Sequence, residues 1–133
     1  MAIMAIDPGR EKCGLAVLTE LGEVLHRSVV DTQAREEWLK QTAVTYDVKA
    51  IVLGNGTTSK DAAEVIERVL PETKLVLVDE YRTTEMARRE YWRVNPPQGW
   101  RTLVPRSLLF PPEPVDDLVA VILGRRYLGG QNE

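Results

Sequence analysis

Met1-Ala2-Ile3-Met4-Ala5-Ile6-Asp7-Pro8-Gly9-Arg10-Glu11-Lys12-Cys13-Gly14-Leu15-Ala16-Val17-Leu18 is the stretch whose reading decides the architecture. The first run, residues 2–7, is apolar up to Asp7 and reads as a buried strand. Asp7 ends the run, and Pro8-Gly9-Arg10-Glu11-Lys12 reads as a turn. Cys13–Leu18 reads as a second strand, Thr19–Glu23 with Gly22 as a hairpin turn, and Val24–Val30 as a third strand. Turns this short join antiparallel neighbours. The chain therefore opens as three antiparallel strands, with a carboxylate at the end of the first.

Further along, the apolar period changes. Gln33–Tyr46 has helical spacing, with Trp38, Leu39, Ala43 and Tyr46 expected inward. Lys49–Leu53 is a short apolar strand that runs into Gly54-Asn55-Gly56-Thr57-Thr58, and Ser59 is the expected N-cap of the next helix. That helix carries Ala62, Val65, Ile66 and Val69 on one face and stops before Pro71. Leu75–Val78 is a fifth strand. Thr83–Arg93 is a helix with Thr84, Ala87 and Tyr91 on one face and Arg82, Glu85, Arg89 and Arg93 on another. Residues 94–113 hold five prolines (Pro96, Pro97, Pro105, Pro111 and Pro112), which exclude regular structure over much of that span. Pro114 suits the first turn of a last helix, Leu118–Leu128, which is apolar on most faces and so packs flat on a sheet. Gly129–Glu133 is expected to fray. Three antiparallel strands followed by alternating helices and strands describe one α/β domain over residues 1–133, a mixed sheet with helices on both faces.

The bulk numbers agree with one ordinary domain: 133 residues, 44% hydrophobic and 28% charged. A single cysteine, Cys13, excludes a disulfide framework and a cysteine-rich zinc site. No apolar run approaches the roughly 18 residues of a membrane span, and Asp7 interrupts the N-terminal run too early for a signal peptide. A reducing, cytoplasmic setting with no membrane contact is the default expectation. The net charge of −3 argues against general adhesion to nucleic acid, yet charge is unevenly spread. Residues 81–106 carry six arginines against Glu85 and Glu90, a local +4 that leaves −7 elsewhere, and half of the eight aromatics lie there. Basic and stacking groups so mixed suit a nucleic-acid groove; an arginine-rich solvated helix with core aromatics is the plainer reading.

The remaining signal is where the acids stand. Asp7 closes the first strand, Asp79-Glu80 close the fifth, and Asp116-Asp117 open the last helix. Side chains at such ends project into crevices of α/β proteins. Carboxylates gathered in one crevice repel one another unless a cation or a shared proton intervenes, and oxygen-rich sites suit magnesium or manganese. Each acid also has a simpler reading. Asp7-Pro8-Gly9 is a turn signal, Asp79 or Glu80 can pair with Arg82 or Arg88, and Asp116 and Asp117 complement a helix dipole.

Three motifs in order resemble the YqgF/RuvX family of the RNase H-like fold: Ile6-Asp7-Pro8-Gly9 with Cys13-Gly14-Leu15-Ala16-Val17; Asp79-Glu80-Tyr81-Arg82-Thr83-Thr84-Glu85 with Ala87-Arg88; and Val115-Asp116-Asp117-Leu118-Val119-Ala120-Val121-Ile122-Leu123 with Tyr127-Leu128. There are departures. Leu53-Gly54-Asn55-Gly56-Thr57-Thr58-Ser59 stands where many members have Gly-Leu-Pro, Tyr81 separates Glu80 from the arginine, and the Asn95–Pro114 segment is longer. That segment resembles the variant of cyanobacterial and Deinococcus-type members. The resemblance implies a five-stranded sheet in the order 3-2-1-4-5, numbering strands along the chain.

It also implies a metal-dependent phosphodiesterase linked to maturation of the 5′ end of 16S ribosomal RNA. Phosphodiester hydrolysis needs an activated water and neutralisation of growing charge, which a Mg2+ or Mn2+ pair about 3.5–4 Å apart supplies. By this carry-over Asp7, Glu80 and Asp116 are the catalytic ligands. Asp79 is the alternative to Glu80, and Asp117 is a further metal candidate about 100° round the helix from Asp116. With the strands about 4.8 Å apart, Asp7 and Glu80 start roughly 10 Å apart, and the longer glutamate must lean inward. Arg82, Asn55 and Thr57 are the substrate-binding candidates, with capping and turn roles the alternative for the last two. His26 and Cys13 read as packing residues, and Trp92 and Trp100 as base-stacking or core groups. The expected partner is nucleic acid, RNA before DNA. A structure-selective DNA nuclease or junction resolvase, which would call for a homodimer, and a non-catalytic binding protein remain the alternatives. A kinase-like relative would need a second lobe for which 133 residues leave no room.

Overall fold

In the computed structural model, which describes residues 2–56, 58–80, 83–104 and 115–131, five strands form one mixed sheet. Strands β1 (Ala2–Asp7), β2 (Lys12–Thr19) and β3 (Val24–Asp31) come first. A 3-10 turn (Thr32–Ala34) leads into α1 (Arg35–Tyr46). Then β4 (Val48–Gly54), α2 (Ser59–Val69) and β5 (Lys74–Val78) alternate, and α3 (Thr83–Val94), a 3-10 turn (Gly99–Leu103) and α4 (Asp116–Gln131) follow. The order across the sheet is β3-β2-β1-β4-β5, as expected. The short turns make β1–β2 and β2–β3 antiparallel, while β1–β4 and β4–β5 are parallel because helical connections return the chain to the starting edge.

Strand alternation assigns the two faces. Met4, Ile6, Cys13, Leu15, Ile51 and Leu53 pack with Leu39, Ala62 and Ile66 of α1 and α2. Ile3, Ala5, Ala16, Leu18, Ala50 and Val52 pack with Ala87 of α3 and Leu118–Val121 of α4. β1, covered on both sides, is therefore apolar throughout, which is why its sequence shows no alternation. The alternating rows also place Asp7, Gly14 and Gly54 on the α4 face.

Several boundaries differ from the sequence reading. Helix α2 is capped by Thr58 rather than Ser59, because Ala62 N–H already donates to Thr58 O (3.2 Å) and Ser59 N–H closes a turn onto Gly56 O (3.0 Å). In α3 the buried threonine is Thr83, not Thr84, since its hydroxyl turns inward to Glu80 O. In α1 Leu39 and Thr42 are the fully buried pair; Trp38 and Ala43, half-buried, pack on the same core as expected, and Tyr46 is half-buried. Helix α4 continues to Gln131, beyond the expected end, its last turns held down by buried Leu128. Pro114 and the Pro105–Pro112 part of the proline-rich segment lie outside the described residues. No helix among the described residues is long and apolar enough to cross a membrane.

Candidate active site

Asp7 ends the central strand. Its antiparallel partner on β2 is Gly14, and on β4 the next place after the Ile6–Leu53 pair is Gly54, itself paired with Val78 of β5. Asp7 is thus flanked in its own row by two residues without side chains. Each gap is filled by a carboxylate-bearing segment from another element.

On the β4 side the filler is Glu80. A Cβ on Gly54 would meet Glu80 Cγ and Cδ at 2.8 Å and its Oε1 closer still, and a Cβ on Gly56 would lie 2.6 Å from Oε2. Glu80 therefore lies across the end of β4 toward Asp7, and the two-strand separation of their backbones is bridged by the side chain. Asp79, the alternative, is exposed, and its main-chain carbonyl accepts from Arg126 Nη1 (2.8 Å). On the β2 side the filler is the start of α4. A Cβ on Gly14 would fall against the carbonyl of Asp116, 2.9 Å from its Cα. Only glycine lets the helix begin so close to the strand, and this brings Asp116 beside Asp7.

The electrostatics follow from this crowding. Burial first, then the charges of Glu80 and Asp116, push the Asp7 carboxyl from 3.8 up to about 8. Asp116 is raised by its own burial and by Asp117, with Lys12 opposing. Glu80 Oε1 is buried and has no hydrogen-bond partner. Two ionised carboxylates offer only acceptors, so the Asp7–Glu80 contact becomes a hydrogen bond only when one of them is protonated. An orphaned buried oxygen beside a carboxyl that resists ionisation is the surrounding a divalent cation would relieve, and an all-oxygen donor set suits Mg2+ or Mn2+. Asp7, Glu80 and Asp116 are the acids gathered at this row, and their oxygens are of the kind such an ion takes. Among the described residues, however, no three acidic, His or Cys side chains already stand in a closed ligating arrangement.

The other candidates fall as follows. Asp117 turns away from this row: Oδ2 faces Arg27 Nε on β3 (3.5 Å), and Oδ1 accepts from Leu118 N–H. Asn55 Oδ1 accepts from Glu80 N–H (3.2 Å). Thr57 and Arg82 lie outside the described residues. Trp92 is in the core at 4% exposure, whereas Trp100 is 68% exposed. Arg93 pairs with Glu90. His26 packs against the rings of Trp38 and Tyr46, and buried Cys13 meets the Thr32 hydroxyl. Gly14, Gly54 and Thr83 were not singled out as site residues from sequence. A glycine inside an otherwise apolar strand was the available signal, since it marks the close approach of another segment.

Gly54→Ala tests the Glu80 placement. The added methyl meets only the end of a flexible side chain, so the fold should tolerate it. We expect less than about 1 kcal/mol lost in urea melts, but displacement of Glu80 and a fall in manganese affinity of about tenfold or more by calorimetry. Unchanged affinity would show that Glu80 does not use this gap.

The first 97 residues match the family described as Tex protein YqgF-like domain. The match ends before Asp116, so it covers two of the three carboxylate-bearing segments. Over 106 residues the chain is 32% identical to the uncharacterized protein YdcI of Bacillus subtilis (strain 168), which takes in 67% of this chain but 15% of that protein. The chain thus spans about 15% of the length of that curated relative. Among solved structures, RuvC of Thermus thermophilus in complex with a Holliday junction substrate superposes with a TM-score of 0.65 over 99% of this chain and 96% of that one, at 15% identity. Thermus thermophilus RuvC in a second structure gives 0.59 over 93% and 90%, also at 15% identity. These likenesses establish the RNase H-like architecture, with its sheet order and its helices on both faces. Together with the match over most of the chain, they meet the expectation from the opening motif: the chain belongs to the Tex protein YqgF-like domain family.

Proposed function

We propose that this chain is a divalent-metal-dependent nuclease domain in which Asp7, Glu80 and Asp116 hold Mg2+ or Mn2+ for hydrolysis of phosphodiester bonds. The observation that carries the reading is the buried Glu80 carboxylate brought to Asp7 over a glycine gap. An unsatisfied buried acceptor calls for an explanation, and a bound cation is one that the neighbouring acids favour. When bound, divalent ions supply Lewis acidity and a nucleophilic water at neutral pH, and two-ion sites clamp both attacking and leaving oxygens. Asp7, at the sheet's centre, is the residue shared between neighbouring ligand pairs. Glu80 and Asp116 approach it from opposite sides. Asp117 assists indirectly, tied to Arg27, though it remains a candidate ligand if that pair opens. Arg82, Asn55 and Thr57 are the proposed contacts to phosphate or sugar; of these Asn55 stands just past the end of β4.

The favoured substrate is structured RNA, and the role implied by the YqgF/RuvX resemblance is processing at the 5′ end of 16S ribosomal RNA. A buried free thiol, Cys13, fits a reducing, cytoplasmic setting. A four-way DNA junction is the second reading, favoured by the RuvC structure solved with that substrate. Symmetric cleavage of a junction would require two sites and hence a two-fold homodimer.

The test is cleavage of labelled structured RNA, single-stranded DNA and a four-way junction in manganese, by wild type and by Asp7→Asn. RNA should be cut fastest, and Asp7→Asn should be slower by at least about 100-fold. Faster junction cleavage selects the second reading. Equal rates for the two proteins reject hydrolysis at this site.

A further inference from the structure

Glu80 follows the last residue of β5 by two places, and nothing in that strand directs its side chain over β4. Its backbone does. Glu80 N–H donates to Asn55 Oδ1 (3.2 Å), and Glu80 C=O accepts both the N–H (3.1 Å) and the hydroxyl (2.8 Å) of Thr83. Thr83 is only 3% exposed, so water hardly competes for that hydroxyl. Asn55 is anchored in turn by its own N–H, which donates to Val78 O (3.1 Å). The residue just past β4 and the first residue of α3 therefore grip Glu80 on both sides of its Cα. With the backbone held, the carboxylate comes to rest where Gly54 and Gly56 leave room.

We propose that Asn55 and Thr83 are positioning residues that hold Glu80 in the posture from which it takes a cation together with Asp7. This rests on the metal-site reading above. A glutamate has three side-chain torsions, and freeing its backbone lets the carboxylate leave the gap. Groups that orient a ligand matter to metal affinity nearly as much as the ligand, typically 10–100-fold. Asn55 thereby acts through Glu80, a role separate from the phosphate or sugar contact suggested by its place in the chain. A purely structural role, closing the loop onto α3, would lower stability and leave affinity for the ion alone.

The experiment is manganese titration by calorimetry on wild type, Glu80→Gln, Asn55→Ala, Thr83→Val and Thr83→Ser. It is joined to melting curves and to hydrogen exchange at the Glu80 amide without metal. Wild type should bind and Glu80→Gln should not. Asn55→Ala and Thr83→Val should each weaken binding about tenfold or more, with melting midpoints within about 4 °C of wild type. Thr83→Ser, which keeps the hydroxyl, should stay within about threefold of wild type. The Glu80 amide should exchange about tenfold faster in Asn55→Ala. Wild-type affinity in Asn55→Ala and Thr83→Val, with binding still lost in Glu80→Gln, overturns the positioning roles and leaves the metal site standing. So does a Thr83→Ser variant as weak as Thr83→Val. No uptake by wild type, or uptake indifferent to Glu80→Gln, overturns the metal site and this inference with it.

Discussion

Gly14→Ala is expected to destabilise the protein by about 3 kcal/mol or more, although it adds one methyl group to a strand. Overpacking in a core costs about 1–3 kcal/mol when neighbours can adjust, and more when they cannot. Here the methyl would be driven into the main chain of Asp116, within 2.9 Å of its Cα and nearer still to its carbonyl. Backbone cannot swing aside as a side chain does. Leu118, Val119, Ala120, Val121 and Leu123 are all buried against the sheet, so the start of α4 moves only if the helix moves with it. The same shift carries Asp116 away from Asp7, and manganese affinity should fall together with stability. Urea melts and calorimetry read both. A wild-type urea midpoint in Gly14→Ala would mean that α4 does not meet β2 as described. Gly54→Ala is the internal contrast, because its methyl meets only the Glu80 side chain.

The second large effect concerns pH. In the folded protein without divalent ions, Asp7 is pushed up to about 8 from 3.8, by burial above all and then by Glu80 and Asp116. The folded state therefore holds this proton more tightly than the unfolded chain does. Its contribution to stability is complete below about pH 3.8 and is lost as pH rises toward and through about 8. Asp116, also raised, acts in the same direction. In chelator, stability should therefore decline from mildly acidic to mildly alkaline pH, by a few kcal/mol in total. Asp7→Asn should flatten the profile: close to wild type near pH 4, and more stable by a few kcal/mol near pH 9. Glu20, Glu36 and Glu90 are lowered by Lys49, Arg68 and Arg93 and pull the other way at acid pH. They are exposed pairs, and such pairs contribute little. Manganese should recover stability at neutral pH in wild type and not in Asp7→Asn, because an ion that binds only the folded form stabilises it by mass action. Thermal melts across pH, with chelator and with manganese, give the answer. A flat profile in chelator, with no gain from Asp7→Asn, would mean that Asp7 is neither buried nor crowded.

Both effects arise because the chain concentrates cost at one place. A carboxyl under this much pressure is unfavourable for the empty fold, and perturbed acids of this kind gather where chemistry is done. The same crowding would make a bound ion's contribution large, since each carboxylate that it relieves gives back part of the repulsion.

Much of this was readable from residue order. The apolar run before Asp7 announced a strand covered on both faces. The short turns at Pro8–Lys12 and Thr19–Glu23 forced antiparallel neighbours, and helical spacing between later strands forced parallel ones. Even the candidate acids were visible, because each stands where a period of hydrophobicity stops. Those are local properties, set by backbone geometry over a few residues. What tertiary structure alone decided is which of the acids meet, and how. Glu80 rather than Asp79 leans to Asp7 because Gly54 and Gly56 vacate the path and Asn55 and Thr83 fix the backbone. Asp116 rather than Asp117 faces the row because α4 seats against Gly14 and leaves Arg27 to hold Asp117. Thr83 rather than Thr84 is inward because helix phase depends on what the helix packs upon, which no periodicity within eleven or so residues records. Residues far apart in the chain come within reach only through the packing of layers, and their contact is a property of that packing and not of either segment by itself.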